Sequence, residues 1–271
     1  MKRDALGDRM KAYENVARTR LTRRVPVIIR LDGKAFHTFT RGLEKPFDCT
    51  LMCVMRQTMK RLCEELQGCV FGYTQSDEIT LVLTDYATIQ TDAWFDYNVQ
   101  KMASVAASIA TSEFNRLFRE EFLRLCDEQD DSIELQNKLK AMSGKLDKAL
   151  FDARCFSVPK EEVCNCLIWR QQDATRNSIE SVGQANFSHS QLQGKSCKMV
   201  QEMLWSEKGI NWNNLPTDCK RGVACYRTER TEEMENPIRP GEMITVQRKQ
   251  WTIDREIPVF SRDRAYIERF L

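Results

Sequence analysis

Apolar and polar positions follow two spacings along this chain, and the switches between them mark its elements. Val27, Ile28, Ile29 and Leu31 form a mostly β-branched run behind Pro26, which predicts a buried strand emerging at Asp32. Gly33 then permits a tight turn. After the Lys45-Pro46-Phe47-Asp48 corner, Leu51, Val54, Met55, Met59 and Leu62 recur at helical spacing. Ile79, Leu81 and Leu83 alternate with Thr80, Val82 and Thr84, so a second strand starts just after Asp77 and Glu78. A further helix is predicted from about Thr91, capped by that residue or Asp92, through Trp94, Phe95, Val99, Met102, Val105, Ala106 and Ile109. Ala103, Ala106, Ala107 and Ala110 permit its close approach to a sheet.

Elsewhere the pattern is weaker. The residues up to about Arg24 are expected to form one helix leading into the first strand. Residues 118–150 are dominated by charge and read as a helical or loop-like insertion outside the core. Phe151 to Pro159 reads as a strand, Glu161 to Trp169 as a strand or short helix, and Gln171 to Phe187 as a helix. The last third reads as short strands and loops, including Arg221 to Tyr226. This order predicts an α+β fold: a ferredoxin-like sheet with helices packed on one face, the layout that also serves as the palm of nucleotide-polymerising enzymes.

Composition changes the picture only locally. The 271 residues and 42% hydrophobic content support a substantial core, and a net charge of +2 neither requires nor excludes a nucleic-acid partner. Arg18, Arg20, Arg23 and Arg24 cluster ahead of the first strand, with smaller groups at Lys220-Arg221 and Arg248-Lys249; such runs are either solvated faces or contacts for polyphosphate or RNA. Eleven cysteines without an apolar N-terminal segment point to a reducing cytoplasm, and most of them read as small buried hydrophobes. Cys164 and Cys166, expected on a strand, and Cys49 and Cys53, expected on a helix, have no zinc-ribbon or finger spacing. No stretch approaches the roughly 20 apolar residues of a membrane span.

The candidate chemistry lies where the two strands carry carboxylates. Asp-Gly alone is an ordinary turn dipeptide, and Asp77-Glu78 alone an ordinary strand edge. Together, hard oxygen ligands from two adjacent strands suit Mg²⁺, which takes one or two carboxylates and completes its octahedron with water and substrate phosphates. Lys34, His37, Lys45, Ser76 and Arg154 offer cationic or hydrogen-bonding groups to triphosphate oxygens. These residues point to a Mg²⁺-dependent nucleotidyl or phosphoryl transferase.

Five blocks resemble the tRNA-histidine guanylyltransferase superfamily. They are Arg-Leu-Asp-Gly-Lys-Ala-Phe-His-Thr-Phe from Arg30, Glu-Lys-Pro-Phe-Asp from Glu44, Tyr-Thr-Gln-Ser-Asp-Glu from Tyr73, Phe-Asp-Ala-Arg from Phe151 and Trp-Arg-Gln-Gln-Asp-Ala-Thr-Arg-Asn from Trp169. The resemblance runs from about residue 7 to 226. It implies a 3′-to-5′ polymerase that activates a tRNA 5′ end with a nucleoside triphosphate and then extends it. By position it implies Asp32 and Asp77 as side-chain ligands of two Mg²⁺ ions, the Gly33 carbonyl as a further ligand, and Glu78 as a third catalytic carboxylate. Lys34, His37, Lys45, Ser76, Arg154 and Asn177 become nucleotide contacts, ATP and GTP become substrates, tRNA the partner, and a homotetramer the assembly. The expected organisation is a catalytic domain over residues 1–226, with 118–150 inserted, and a C-terminal extension over 227–271.

Where the eukaryotic enzymes read His-Ile-Asn-Asn, this chain reads Thr175-Arg176-Asn177-Ser178. That form is more similar to the bacterial and archaeal Thg1-like proteins, which rebuild truncated tRNA 5′ ends by templated addition. A strict guanylyltransferase of histidine tRNA, a non-catalytic RNA-binding relative and a cyclase-like enzyme are the alternatives. The second histidine, His189, falls outside every block and reads as a structural or surface residue.

Overall fold

In the computed structural model, which describes residues 4–128, 132–235, 241 and 243–271, the chain runs α1 (Ala5–Val16), β1 (Val27–Gly33), α2 (Phe36–Phe39), α3 (Cys49–Glu65), β2 (Cys69–Gln75), β3 (Glu78–Leu83), α4 (Val99–Cys126) and α5 (Ile133–Ser143). It continues through β4 (Phe151–Ser157), α6 (Lys160–Asn186), α7 (His189–Leu192), α8 (Cys197–Lys208), α9 (Thr217–Arg221), β5 (Val223–Glu235), β6 (Met243–Asp254) and α10 (Ala265–Glu268). The described strands form one antiparallel sheet in the order β4-β1-β3-β2-β5-β6. Its first four strands with α3 and α4 make the β-α-β-β-α-β unit of a ferredoxin-like fold.

β2 has no counterpart in the sequence reading. Gly72 interrupts its apolar alternation, and the reason is packing: a Cβ at Gly72 would press on the Cys63 Sγ and on Met59 of α3, so a bare backbone lets the helix lie close. α3 and α4 cover one face of the sheet, as expected, through Met59, Leu62, Met102, Ala106, Ala110 and Phe114 against Val27, Ile29, Leu31, Ile79 and Leu81. The opposite face is also covered. Ile28, Phe71, Tyr73, Val82 and Ala224 pack against Val163, Cys164 and Leu167 of α6 and against Ile257, Phe260 and Ile267 near the C-terminus. Each fully buried large apolar side chain contributes about 1.5–3 kcal/mol, so both layers matter to stability.

Several expectations change. α1 stops at Val16 with no buried residue, and a coil carries the chain to β1. The basic cluster in that coil is engaged structurally: Arg20 and Arg23 pair with Asp96, and Arg24 donates to the carbonyls of Asp85, Thr88 and Ile89. α4 begins at Val99 with Asn98 as its cap, rather than at Thr91, because Phe95, Asp96 and Tyr97 hold left-handed φ values of 50°, 53° and 51°.

Residues 118–150 belong to the core. Phe118, Leu125, Leu135, Met142 and Ala149 are buried, while the charges that dominate the segment form outward pairs such as Arg119 with Asp147, and Arg124 with Glu121 and Glu128. The predicted strand-or-helix at 161–169 and the helix after it are one 27-residue helix, α6, so Cys164 and Cys166 are helical. The last third contains α8, whose Val200 and Leu204 meet Ile179 and Val182, and two long strands, so short strands and loops do not describe it. The boundary expected at 226/227 falls inside β5, and the residues beyond it help cover the sheet. All eleven cysteines are free; four are buried, and Cys49, Cys53 and Cys126 are exposed. No described helix is long and apolar enough to cross a membrane.

Candidate active site

The ends of β1, β2, β3 and β4 meet at one edge of the sheet. Register places Asp32 opposite Glu78 on β3 and opposite Asp152 on β4. β2 and β3 are joined by a two-residue turn, Ser76-Asp77, whose Asp77 carbonyl accepts the Gly33 N–H at 3.1 Å. That bond ties the turn to the end of β1 and sets Asp77 beside Asp32. Ser76 holds φ 51°, a conformation that disfavours non-glycine residues by about 1–2 kcal/mol, and its hydroxyl donates to the Asp77 carboxylate at 3.0 Å. Strain of this kind clusters at functional sites. On the other side of Asp32, the backbone reverses through Ala35 at φ 54°, and a Cβ at Gly33 would overlap the Phe36 ring. Phe36 is fixed by Phe39, Phe114 and Phe151, with ring centroids 4.9, 5.4 and 5.2 Å away.

Asp32, Gly33, His37, Thr40, Ser76 and Asp77 line a cleft of about 330 Å³. Burial pushes the Asp77 carboxyl above its ordinary range and the neighbouring Asp32 adds to the rise, against the Ser76 hydroxyl and His37, which lower it. Among the described residues no Lys, Arg or His forms an ion pair with Asp32 or Asp77. Nor do three described His, Cys, Asp or Glu side chains gather as a metal site by themselves. Two uncompensated carboxylates beside a backbone carbonyl in an open cleft fit a hard cation that takes its remaining oxygens from phosphate and water; they do not fit a closed zinc site.

A second cavity of about 130 Å³ adjoins the first, with Ser76 and Leu51 lining both. Phe47, Gln75, Asn177, Ser178 and Asp218 contribute to its wall, and Gln75 keeps a buried side-chain oxygen without a hydrogen-bond partner. The Ser178 hydroxyl accepts the Trp212 indole N–H at 3.0 Å. The Asp218 side chain, 2% exposed, is held by Arg56 and Arg255, each at 2.7 Å.

Asp32, Gly33, His37, Ser76, Asp77 and Asn177 are thus brought together. Lys34 and Lys45 are exposed and line neither cavity, although Pro46 lines the second. Arg154 lies on β4 in register with Arg30, paired to Asp152 at 3.2 Å. Glu78 departs from its expected place among the catalytic carboxylates: its side chain is buried and accepts Arg170 at 2.8 Å, with Thr80 at 3.4 Å on its other oxygen. Burial raises the Glu78 carboxyl and Arg170 opposes that rise. Arg170, Arg56 and Asp218 were not anticipated, because their partners lie 92 and 162 residues away and no local spacing signals them.

The family model of Thg1, tRNAHis guanylyltransferase, matches residues 7–159. A bacterial tRNA(His) guanylyltransferase (Thg1)-like protein solved in complex with ATP is 41% identical, superimposes with a TM-score of 0.79, and the match covers 98% of this chain and 99% of that one. A Thg1-like protein solved with GTP gives 39% identity and a TM-score of 0.75 over the same shares. The tRNA(His) guanylyltransferase of Saccharomyces cerevisiae is 26% identical over 215 residues, 74% of this chain and 82% of the yeast protein.

Proposed function

The chain belongs to the Thg1 family of tRNAHis guanylyltransferases, which are nucleotidyltransferases, and from that premise we propose that it is a Mg²⁺-dependent, template-directed 3′-5′ nucleotidyltransferase that activates and extends or repairs tRNA 5′ ends with ATP and GTP. The observation that carries this reading is the pair Asp32 and Asp77, without cationic partners, in a cleft that continues past Ser76 into the cavity bearing Asn177. Asp32, Asp77 and the Gly33 carbonyl would hold two Mg²⁺ ions. When bound there, the metal supplies acidification of the attacking hydroxyl and neutralisation of phosphoryl charge.

The chain's own residues position the reactants. His37 and Ser76 lie where triphosphate oxygens would meet the cleft, and Asn177 with the unpartnered Gln75 oxygen would face the nucleoside. The RNA 5′-phosphate attacks the α-phosphorus of ATP and releases pyrophosphate. The 3′-hydroxyl of the incoming nucleotide then attacks the activated 5′-phosphorus and releases AMP. Templating is proposed from the Thr175-Arg176-Asn177-Ser178 form that this chain shares with the Thg1-like proteins, with pairing to the RNA selecting the base. Lys34, Lys45 and Arg154, outside the cavities, would reach the nucleotide only at the rim. We place the enzyme in the cytoplasm as a homotetramer on the family's pattern. The test is a 5′-monophosphorylated tRNA lacking its first nucleotide, incubated with ATP, GTP and Mg²⁺. The reading requires a product longer at its 5′ end and AMP release; a wild-type chain that binds this RNA and nucleotide but leaves it unextended would overturn it.

A further inference from the structure

On the α6 side of the sheet, outside both cavities, α6 carries an exposed aromatic side chain. Trp169 is 49% exposed, and the Arg170 guanidinium lies 3.4 Å from its ring centroid. Arg170 is itself fixed, 5% exposed, with Glu78 at 2.8 Å and Asp173 at 3.4 Å, and its Nε is buried without a partner. The indole therefore rests on an immobile cation, in a set orientation, with about half its surface open.

A second guanidinium points the same way. Arg30 sits 5.6 Å from the same ring, forms no ion pair among the described residues, and also keeps a buried, unpartnered Nε. Arg30 precedes Asp32 by two residues on β1, so both project from one face of the sheet about 7 Å apart along the strand. Arg154 is beside Arg30 in register. From Asp32, then, the unpaired Arg30, flanked by the ion-paired Arg154 and Arg170, leads away from the cleft to an exposed, braced indole.

We infer that Trp169 is a stacking platform for a nucleobase of the RNA at its 5′ end, with Arg30 placed against the adjoining phosphate. The inference rests on the function proposed above, because it needs an RNA 5′-phosphate at Asp32 and Asp77. Stacking on an aromatic ring tolerates any base, which suits a site where pairing carries the sequence information. A free triphosphate seated in the cleft and the Asn177 cavity runs past Ser76, whereas Trp169 lines neither cavity. The platform therefore fits the RNA rather than the incoming nucleotide.

The probe is a truncated tRNA carrying 2-aminopurine as its 5′-terminal base, titrated with full-length wild type, Trp169→Phe and Trp169→Ala. Wild type and Trp169→Phe are expected to quench the probe on binding. Trp169→Ala, with unchanged circular dichroism and melting, is expected to lose that quench and to bind RNA about 10- to 100-fold more weakly, with nucleotide saturation within twofold. Trp169→Ala that quenches and binds RNA like wild type overturns the platform while leaving templated addition standing. A shift in nucleotide saturation with RNA affinity unchanged overturns it in favour of a free nucleotide on the indole. Failure of wild type to bind or extend RNA at all overturns the function and the platform together.

Discussion

At the scale of residues, the site depends on which carboxylates are paired and which are not. Asp32 and Asp77 face the cleft without a cation, whereas Glu78, adjacent in sequence, is bound to Arg170. Asp32→Ala and Asp77→Ala are each expected to lower nucleotide addition by about 10²- to 10³-fold or more. The double variant should be little worse than either single one, since the pair acts as a unit. Melting curves should stay near wild type; a single variant with most of its activity would remove these residues from the metal site. Arg170→Ala should lower stability by about 3–5 kcal/mol because Glu78 is left charged and buried, while joint replacement of Glu78 and Arg170 by apolar residues of similar size should recover much of it in urea unfolding. The juxtaposition of Asp32 and Asp77 was legible in the sequence because Asp32 closes one apolar run and Asp77 stands just before another. The fate of Glu78 was not, because a partner 92 residues away has no local signature.

At the scale of elements, regular periodicity was readable and its interruptions were not. α3 stands where its apolar spacing put it, with Asp48 accepting the Leu51 N–H at 2.8 Å as its cap. α4 was misplaced at both ends. Left-handed residues 95–97 delay its start, and ion pairs on its outer face disguise an apolar stripe that continues through Phe114, Phe118 and Leu125. Phe118→Ala is accordingly expected to cost about 3–5 kcal/mol, the value for a core phenylalanine. A change within about 0.5 kcal/mol, the range of an ordinary surface position, would return residues 118–150 to the status of an outlying insertion. β2 was lost to Gly72, a residue that weakens the sequence signal for a strand while letting α3 pack on it.

At the scale of the whole molecule, the sheet is covered on both faces, and the C-terminal residues belong to one of the covers. The periodicity of the N-terminal half implied the ferredoxin-like order; the second cover was hidden because Ile257, Phe260 and Ile267 are scattered in a polar stretch. Truncation after Tyr226 removes them, together with the Arg255 partner of Asp218 at the second cavity, so the shortened chain is expected to lose its cooperative melting transition. A truncated chain that melts like the full one would make the segment a detachable extension. With both covers in place, the site presents two carboxylates, an adjoining cavity that bears Gln75 and Asn177, and the unpaired Arg30 two residues before Asp32. On the proposed function, the RNA template rather than the protein chooses the nucleotide. The direct measurement is single-nucleotide addition to a truncated tRNA whose base opposite the gap is either C or U. G is expected to be preferred opposite C and A opposite U, each by about 10- to 1000-fold over the mismatched nucleotide, and on tRNAs besides the histidine species. Addition of G whatever the opposing base, and only to histidine tRNA, would contradict it.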